Sequence, residues 1–132
     1  FARNAVAAFC LGLNPTLDEL SDVKTAVSEA VTNCIVHGYR GASGTVCIEC
    51  ETEGCAVHIT VSDRGRGIED VKRALEPFYT TSEGEERSGM GFTIMQTFMS
   101  DFGIESEVGR GTRVRMSKYF GRNACSEVAN AE

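Results

Sequence analysis

Ser28-Glu29-Ala30-Val31-Thr32-Asn33-Cys34-Ile35-Val36-His37-Gly38-Tyr39 is the stretch from which the rest of the chain can be read. It has the pattern of the last turns of a long helix. Leu20, Val23, Val27, Val31 and Cys34 recur at three- and four-residue spacing and form one apolar stripe. Glu29, Asn33 and His37 fall four apart and stack along another line of the same helix. A helix that buries one face thus carries a carboxylate, an amide and an imidazole in a row. A solvated face has such a row too. Three later segments give it another meaning: Asp63-Arg-Gly65-Arg-Gly67-Ile68, Ser88-Gly89-Met90-Gly91-Phe92 and Gly111-Thr112.

Upstream, residues 2–13 have the spacing of a helix with Val6, Phe9, Cys10 and Leu13 inward, closed by Pro15. Thr16-Leu-Asp-Glu19 is a capping box that opens the second helix, predicted over residues 16–37 with Gly38 as its stop. Downstream, residues 45–51 and 55–63 alternate as two strands around Thr52-Glu-Gly54. Val57, Ile59, Val61 and Asp63 share a face of the second strand, while His58 lies on the other. An acid at the end of an apolar row is costly to bury without a donor to bind. A short helix is expected over residues 69–75, stopped by Pro77, then a polar loop over residues 82–88. Gly89-Met90-Gly91 opens a further helix with Ile94, Met95, Phe98, Met99 and Phe102 inward and Gly103 at its end. Residues 104–108 and 112–119 are the last two strands, and Thr112 shares the inward face of Val114 and Met116. The order predicts an α+β fold: a two-layer sandwich of a mixed, mainly antiparallel sheet with helices on one face. Residues 1–120 make the domain, and residues 121–132 are expected to be a disordered tail.

At 132 residues the chain is one domain with room for a core. A net charge of -6 argues against direct binding to nucleic acid or anionic membranes. No apolar run is long enough to cross a bilayer and the start is not a signal peptide, so a cytoplasmic location is expected. The first residue is Phe1, which leaves room for a preceding segment. The six cysteines are expected to be thiols, with Cys10 and Cys34 in the core. Cys47 and Cys50 lie three apart on a strand and point to opposite faces, which disfavours a zinc or redox site. Gly89-Met90-Gly91 at a helix start is suited to cradle phosphate, through close backbone approach and free N–H groups. Neither a P-loop nor a dinucleotide fingerprint is present.

Taken together, the segments resemble the GHKL (Bergerat-fold) ATPases, the family that includes gyrase and the histidine kinases. Glu29 through Asn33 match its N box, Asp63-x-Gly65-x-Gly67 its first glycine box, Gly89-x-Gly91 its second, and Thr112 the threonine after the third. Within that family the chain is similar to the small anti-sigma factor kinases, over about residues 1–118. Those proteins carry a further strand before the first helix, which has no counterpart here and puts the sheet edge and dimer contact in question.

The resemblance implies an ATP- and Mg²⁺-dependent serine protein kinase. It would bind a sporulation-type sigma factor, phosphorylate an anti-anti-sigma protein and form a homodimer. A nucleotide-gated binding module without kinase activity, or an anti-sigma kinase of another stress response, is the alternative. By the same resemblance Glu29 is the general base and Arg87 neutralises charge at the γ-phosphate. Asn33 holds Mg²⁺, and Asp63 accepts a hydrogen bond from the adenine amino group with Thr112 nearby. Gly65 and Gly67 let the loop pass close to the base. Thr80, Thr81, Ser88, Gly89, Met90, Gly91 and Phe92 complete the nucleotide site, and Arg3 contacts partners.

Overall fold

The computed structural model describes residues 1–39, 44–76 and 91–121. It contains α1 (Ala2–Cys10), a 3₁₀ turn (Leu11–Leu13), α2 (Leu17–Asn33), a π turn (Cys34–Gly38), β1 (Val46–Glu53) and β2 (Ala56–Asp63). α3 (Val71–Ala74), α4 (Gly91–Phe98), β3 (Asp101–Glu107) and β4 (Gly111–Tyr119) follow. The strands form one four-stranded sheet in the order β1-β2-β4-β3. Every pairing is antiparallel, in keeping with the α+β expectation.

β2 and β4 hold the centre of the sheet, and their inward rows line the core. Val57, Ile59 and Val61 of β2 and Val114 and Met116 of β4 are buried. Val23, Ala26, Val27 and Ala30 of α2, Val6 and Cys10 of α1, and Met95 of α4 belong to the same apolar cluster. Asp63 pairs with Thr112 at the end of the two central strands, which sets the last inward position of each side by side.

The start of α2 follows the sequence closely. Thr16 Oγ1 accepts from the Glu19 N–H at 3.1 Å, and Glu19 Oε1 accepts from the Thr16 N–H at 2.8 Å. Burial pushes the Glu19 carboxyl up, but hydrogen bonds from Thr16 and the Gly121 N–H, and the charge of Lys118, bring it below 4.5.

Four expectations are corrected. Phe9 is 46% exposed rather than inward, because α1 buries Val6, Ala7 and Cys10. The α-helical part of α2 ends at Asn33, since the Tyr39 N–H reaches back five residues to the Cys34 carbonyl and opens the turn. The wider turn takes His37 off the line of Glu29 and Asn33. α4 ends at Phe98, where Lys118 Nζ donates to the Phe98 carbonyl at 2.6 Å, so Phe102 and Gly103 lie in β3. Phe102 still faces inward, 6.1 Å from the Phe92 ring. The short helix, expected over residues 69–75, contracts to α3, with Asp70 as its cap.

Cys10, Cys34, Cys47 and Cys50 are free, with Cys47 exposed and Cys50 half-buried as their alternation predicts. Cys55 is disulfide-bonded, against the expectation of six thiols, and its partner lies outside the described residues. Its carbonyl accepts the Phe120 N–H, so the chain leaving β4 passes beside it. The expected tail beyond Gly121 also lies outside the described residues.

Thr16→Ala removes the N-cap and should lower unfolding free energy by about 1 kcal/mol. Urea titration should show a lower midpoint at unchanged slope. The sign of the pH effect follows from the lowered folded pKa of Glu19. Its contribution is complete above its ordinary value of 4.5 and is lost as pH falls through the folded value, so the parent's advantage should shrink in acid.

Candidate functional site

At the end of β2 the Asp63 side chain is only 8% exposed, and it is the one charged or polar residue among the described residues that is buried. Its surroundings are built from backbone. The Gly65 N–H donates to Asp63 Oδ1 at 2.8 Å. Gly38 lies so close that a Cβ on it would stand 3.0 Å from the same oxygen. Cys34, the first residue of the π turn, is buried nearby. Burial, then the neighbouring Asp63 charge, pushes that thiol up to about 12, so it stays protonated at neutral pH.

The loop after Asp63 is tied to the π turn. The Arg66 N–H donates to the Gly38 carbonyl at 3.0 Å, and Arg66 Nε donates to the His37 carbonyl at 2.8 Å. The Tyr39 hydroxyl accepts the Arg64 N–H at 2.8 Å. On the other side, Ser106 Oγ accepts the Ile68 N–H at 2.7 Å and lies 2.8 Å from Thr112 Oγ1. The Gly109 N–H closes onto the Arg66 carbonyl. Thr112 is therefore oriented by a hydroxyl on the neighbouring strand, beside its strand partner Asp63.

One residue before Cys34, α2 presents Asn33, with Glu29 a turn earlier. The first residue of α4, Gly91, rests against both. A Cβ on Gly91 would stand 3.0 Å from Asn33 Nδ2, 3.2 Å from Asn33 Oδ1 and 3.3 Å from Glu29 Oε2. A helix start, an amide and a carboxylate thus converge on one tight space. The free N–H groups of a helix start suit phosphate oxygens. An amide oxygen suits Mg²⁺, which takes few protein ligands and keeps phosphate and water oxygens. The residues present therefore fit a Mg²⁺–nucleotide.

The structure brings Glu29, Asn33 and Gly91 together, and separately Asp63, Gly65, Gly67 and Thr112. Phe92 is half-buried beside Phe102. Arg3 is exposed on α1. Arg87, Thr80, Thr81, Ser88, Gly89 and Met90 lie outside the described residues. Sequence reasoning missed Ser106 and the Tyr39 hydroxyl. Ser106 shares a strand face with Ile104, so its inward position was readable, but its link to Ile68 depends on the β3–β4 register.

Gly65 admits no side chain: a Cβ there would stand 2.2 Å from the Gly38 carbonyl oxygen, a backbone atom that cannot rotate away. Gly65→Ala should cost about 1–3 kcal/mol of stability through overpacking. It should also displace the loop from Asp63. Thermal unfolding and nucleotide titration of the variant check both effects.

Comparison with known proteins places this geometry. Residues 2–118 match the histidine kinase-like ATPase domain. The anti-sigma F factor of Thermoanaerobacter sp. (strain X514) is 54% identical over 92% of this chain and 85% of its own length. That of Clostridium botulinum (strain Eklund 17B / Type B) is 57% identical over 91% of this chain and 85% of its own. Among solved structures, the mycobacterial sensor histidine kinase MprB superposes with a TM-score of 0.61 at 18% identity, covering 76% of this chain and 72% of that one. The catalytic domain of histidine kinase ThkA gives 0.61 at 19% identity, covering 80% and 69%. These distant structures share the fold, and the family match extends over nearly the whole chain: it belongs to the histidine kinase-like ATPase family.

Proposed function

We propose that the protein is an anti-sigma factor and an ATP-dependent serine protein kinase, acting on an anti-anti-sigma protein. The observation that carries this reading is the convergence of Glu29, Asn33 and the start of α4 at Gly91, just before the turn whose Gly38 faces the Asp63 carboxylate. The name borne by relatives at 54% and 57% identity supports the partner class. The same proposal includes a homodimer and a cytoplasmic location. No described helix is long and apolar enough to cross a membrane.

In this reading Asp63 accepts the adenine amino group, with Thr112 beside it. Gly65 and Gly67 carry the loop past the base, and the segment from Thr80 and Thr81 through Ser88, Gly89, Met90, Gly91 and Phe92 encloses the phosphates. When bound, Mg²⁺–ATP supplies the transferable phosphoryl group, with the metal held through the Asn33 amide oxygen. Glu29 lies a helical turn from Asn33, where it can orient the seryl hydroxyl and accept its proton. In a loose phosphoryl-transfer transition state, orientation is the larger part of that role. Arg87 would stabilise the charge on the transferring group. A binding module that used ATP only for shape would have no need of a carboxylate at position 29, which favours the kinase over that alternative.

The test is incubation with labelled ATP and a candidate anti-anti-sigma protein, followed by phosphoserine analysis. Glu29→Gln keeps the size of the side chain and removes the base. It should retain ATP binding and lose about 10²-fold or more in transfer rate. Equal rates in mutant and parent would remove Glu29 from this role.

Arg3 is exposed near the start of α1, where a guanidinium can make paired bonds to a partner's carboxylate. If sigma factor and anti-anti-sigma protein share it, they compete, which gives a physical basis for switching. Arg3→Ala should weaken both partners in pull-down and leave ATP affinity within about twofold, since the two sites share no contact. Parental capture of both partners would refute the assignment.

A further inference from the structure

The core-facing row of β4 ends in a cation. Thr112, Val114, Met116 and Lys118 alternate along that row, and Lys118 pairs with Val57, which is fully buried. An ammonium in an apolar row is tolerated only where carboxylate and carbonyl oxygens replace its water. The Lys118 side chain is 14% exposed, and its Nζ donates to Asp22 Oδ2 of α2 at 3.1 Å and to the Phe98 carbonyl of α4 at 2.6 Å. Phe98 is the last residue of α4, and the final carbonyls of a helix lack intrahelical partners and favour a cation. One ammonium thus joins the two helices that meet at Glu29, Asn33 and Gly91.

The contacts fall at matching intervals on both helices. Asp22 precedes Glu29 by seven residues on α2, and Gly91 precedes Phe98 by seven on α4. Each interval spans roughly 10 Å of helix. The two helices therefore run antiparallel and meet at both ends of one segment: Gly91 rests against Asn33 and Glu29, and Lys118 grips Asp22 and the Phe98 carbonyl. We propose that Lys118 is a positioning residue for the phosphate end of the site. With Asp22 it fixes α4 lengthwise along α2, which sets the start of α4 at Glu29 and Asn33. The ammonium lies a helix length from that point and acts through α4. Its effect is confined to that end, since Lys118 and Thr112 stand six residues apart on β4. That separation is about 20 Å along a strand, which puts the Asp63 end out of its reach. This inference rests on the proposed nucleotide site at Glu29, Asn33 and Gly91.

The experiment compares two ligands on the full chain in Mg²⁺ buffer: ATP, and adenosine, which keeps the base and lacks every phosphate. ATP is titrated by calorimetry and adenosine by NMR, which reads weak binding, at a temperature well below each protein's thermal transition. The proteins are the parent, Lys118→Met and Asp22→Ala. Met keeps an apolar stem of similar length and removes the ammonium. Lys118→Met should lose about tenfold in ATP affinity, the order of one charged hydrogen bond. Its adenosine affinity should stay within about twofold, because the base end is distant and shares no partner with Lys118. Asp22→Ala leaves the Phe98 contact in place and spares Lys118, whose charge also acts on Glu19. It should shift the ATP-to-adenosine ratio in the same direction by about threefold, the smaller share of a contact with one anchor kept.

A merely structural role predicts a lower unfolding temperature with the ratio of the two affinities unchanged, and that result overturns the proposal. Equal losses on ATP and adenosine overturn it as well. If Lys118→Met does not fold, Asp22→Ala decides by the same ratio, since its side chain is partly exposed and its removal is the milder change. A parent that binds ATP no more tightly than adenosine overturns the proposed phosphate site and this inference with it. A parent that prefers ATP, with variants that prefer it equally, overturns the inference alone.

Discussion

The buried carboxylate of Asp63 is the constraint around which this end of the molecule is arranged. A charge at the end of an apolar strand is tolerated only where donors replace water. The chain supplies the Gly65 N–H, from the loop that follows. That approach needs backbone without side chains in the way. Gly38 faces the carboxylate, and Gly65 faces the Gly38 carbonyl so closely that Gly65 cannot enlarge. The two glycines and the acid therefore form a single packed unit, although they come from two segments of the sequence.

The same unit explains why α2 does not finish as an ordinary helix. An α-helical end at this point would offer its last carbonyls to solvent or to a simple cap. Opening into a π turn at Cys34–Gly38 instead presents the His37 and Gly38 carbonyls to Arg66, which takes one with its side chain and the other with its N–H. Arg66 in turn offers its own carbonyl to Gly109 at the β3–β4 turn. Three segments distant in sequence are thereby fixed to one another through main-chain groups, which hold position better than long side chains do.

Much of this was legible beforehand, and the limits have physical causes. The capping box at Thr16, the stripe on α2 and the inward Asp63 and Thr112 follow from local chemistry and from periods of 3.6 and 2. Phe102 was assigned to the right face but the wrong element, because an inward aromatic fits a helical stripe and a strand row equally well over one turn. The deciding interaction, Lys118 on the Phe98 carbonyl, spans 20 residues. Phe9 was misjudged because apolar spacing on a short helix marks two adjacent faces, and only tertiary packing selects between them. At the site, the residue types in the glycine boxes carried the signal. The supports, Ser106 and the Tyr39 hydroxyl, were silent because a serine or a tyrosine has no distinctive spacing until a register brings it to its partner.

The two halves of the site differ in how they are built, and the proposed chemistry divides along the same line. The end at Asp63 is held by backbone donors, glycine contacts and a hydroxyl pair between adjacent strands, so its geometry exists before any ligand arrives. Preorganisation of that kind strengthens binding without needing to change as the reaction proceeds. The end at Glu29 and Asn33 is formed by side chains of α2 facing the start of α4. Interactions that grow only in the transition state belong there, since they raise turnover rather than ground-state affinity. Under the proposed function the Asp63 end would select the nucleotide and the Glu29 end would act on it. α2 links both, with Glu29 and Asn33 on one side and Gly38, just past its end, against Asp63 on the other. A displacement of α2 would therefore alter recognition and chemistry together, whereas a substitution confined to either end would separate them.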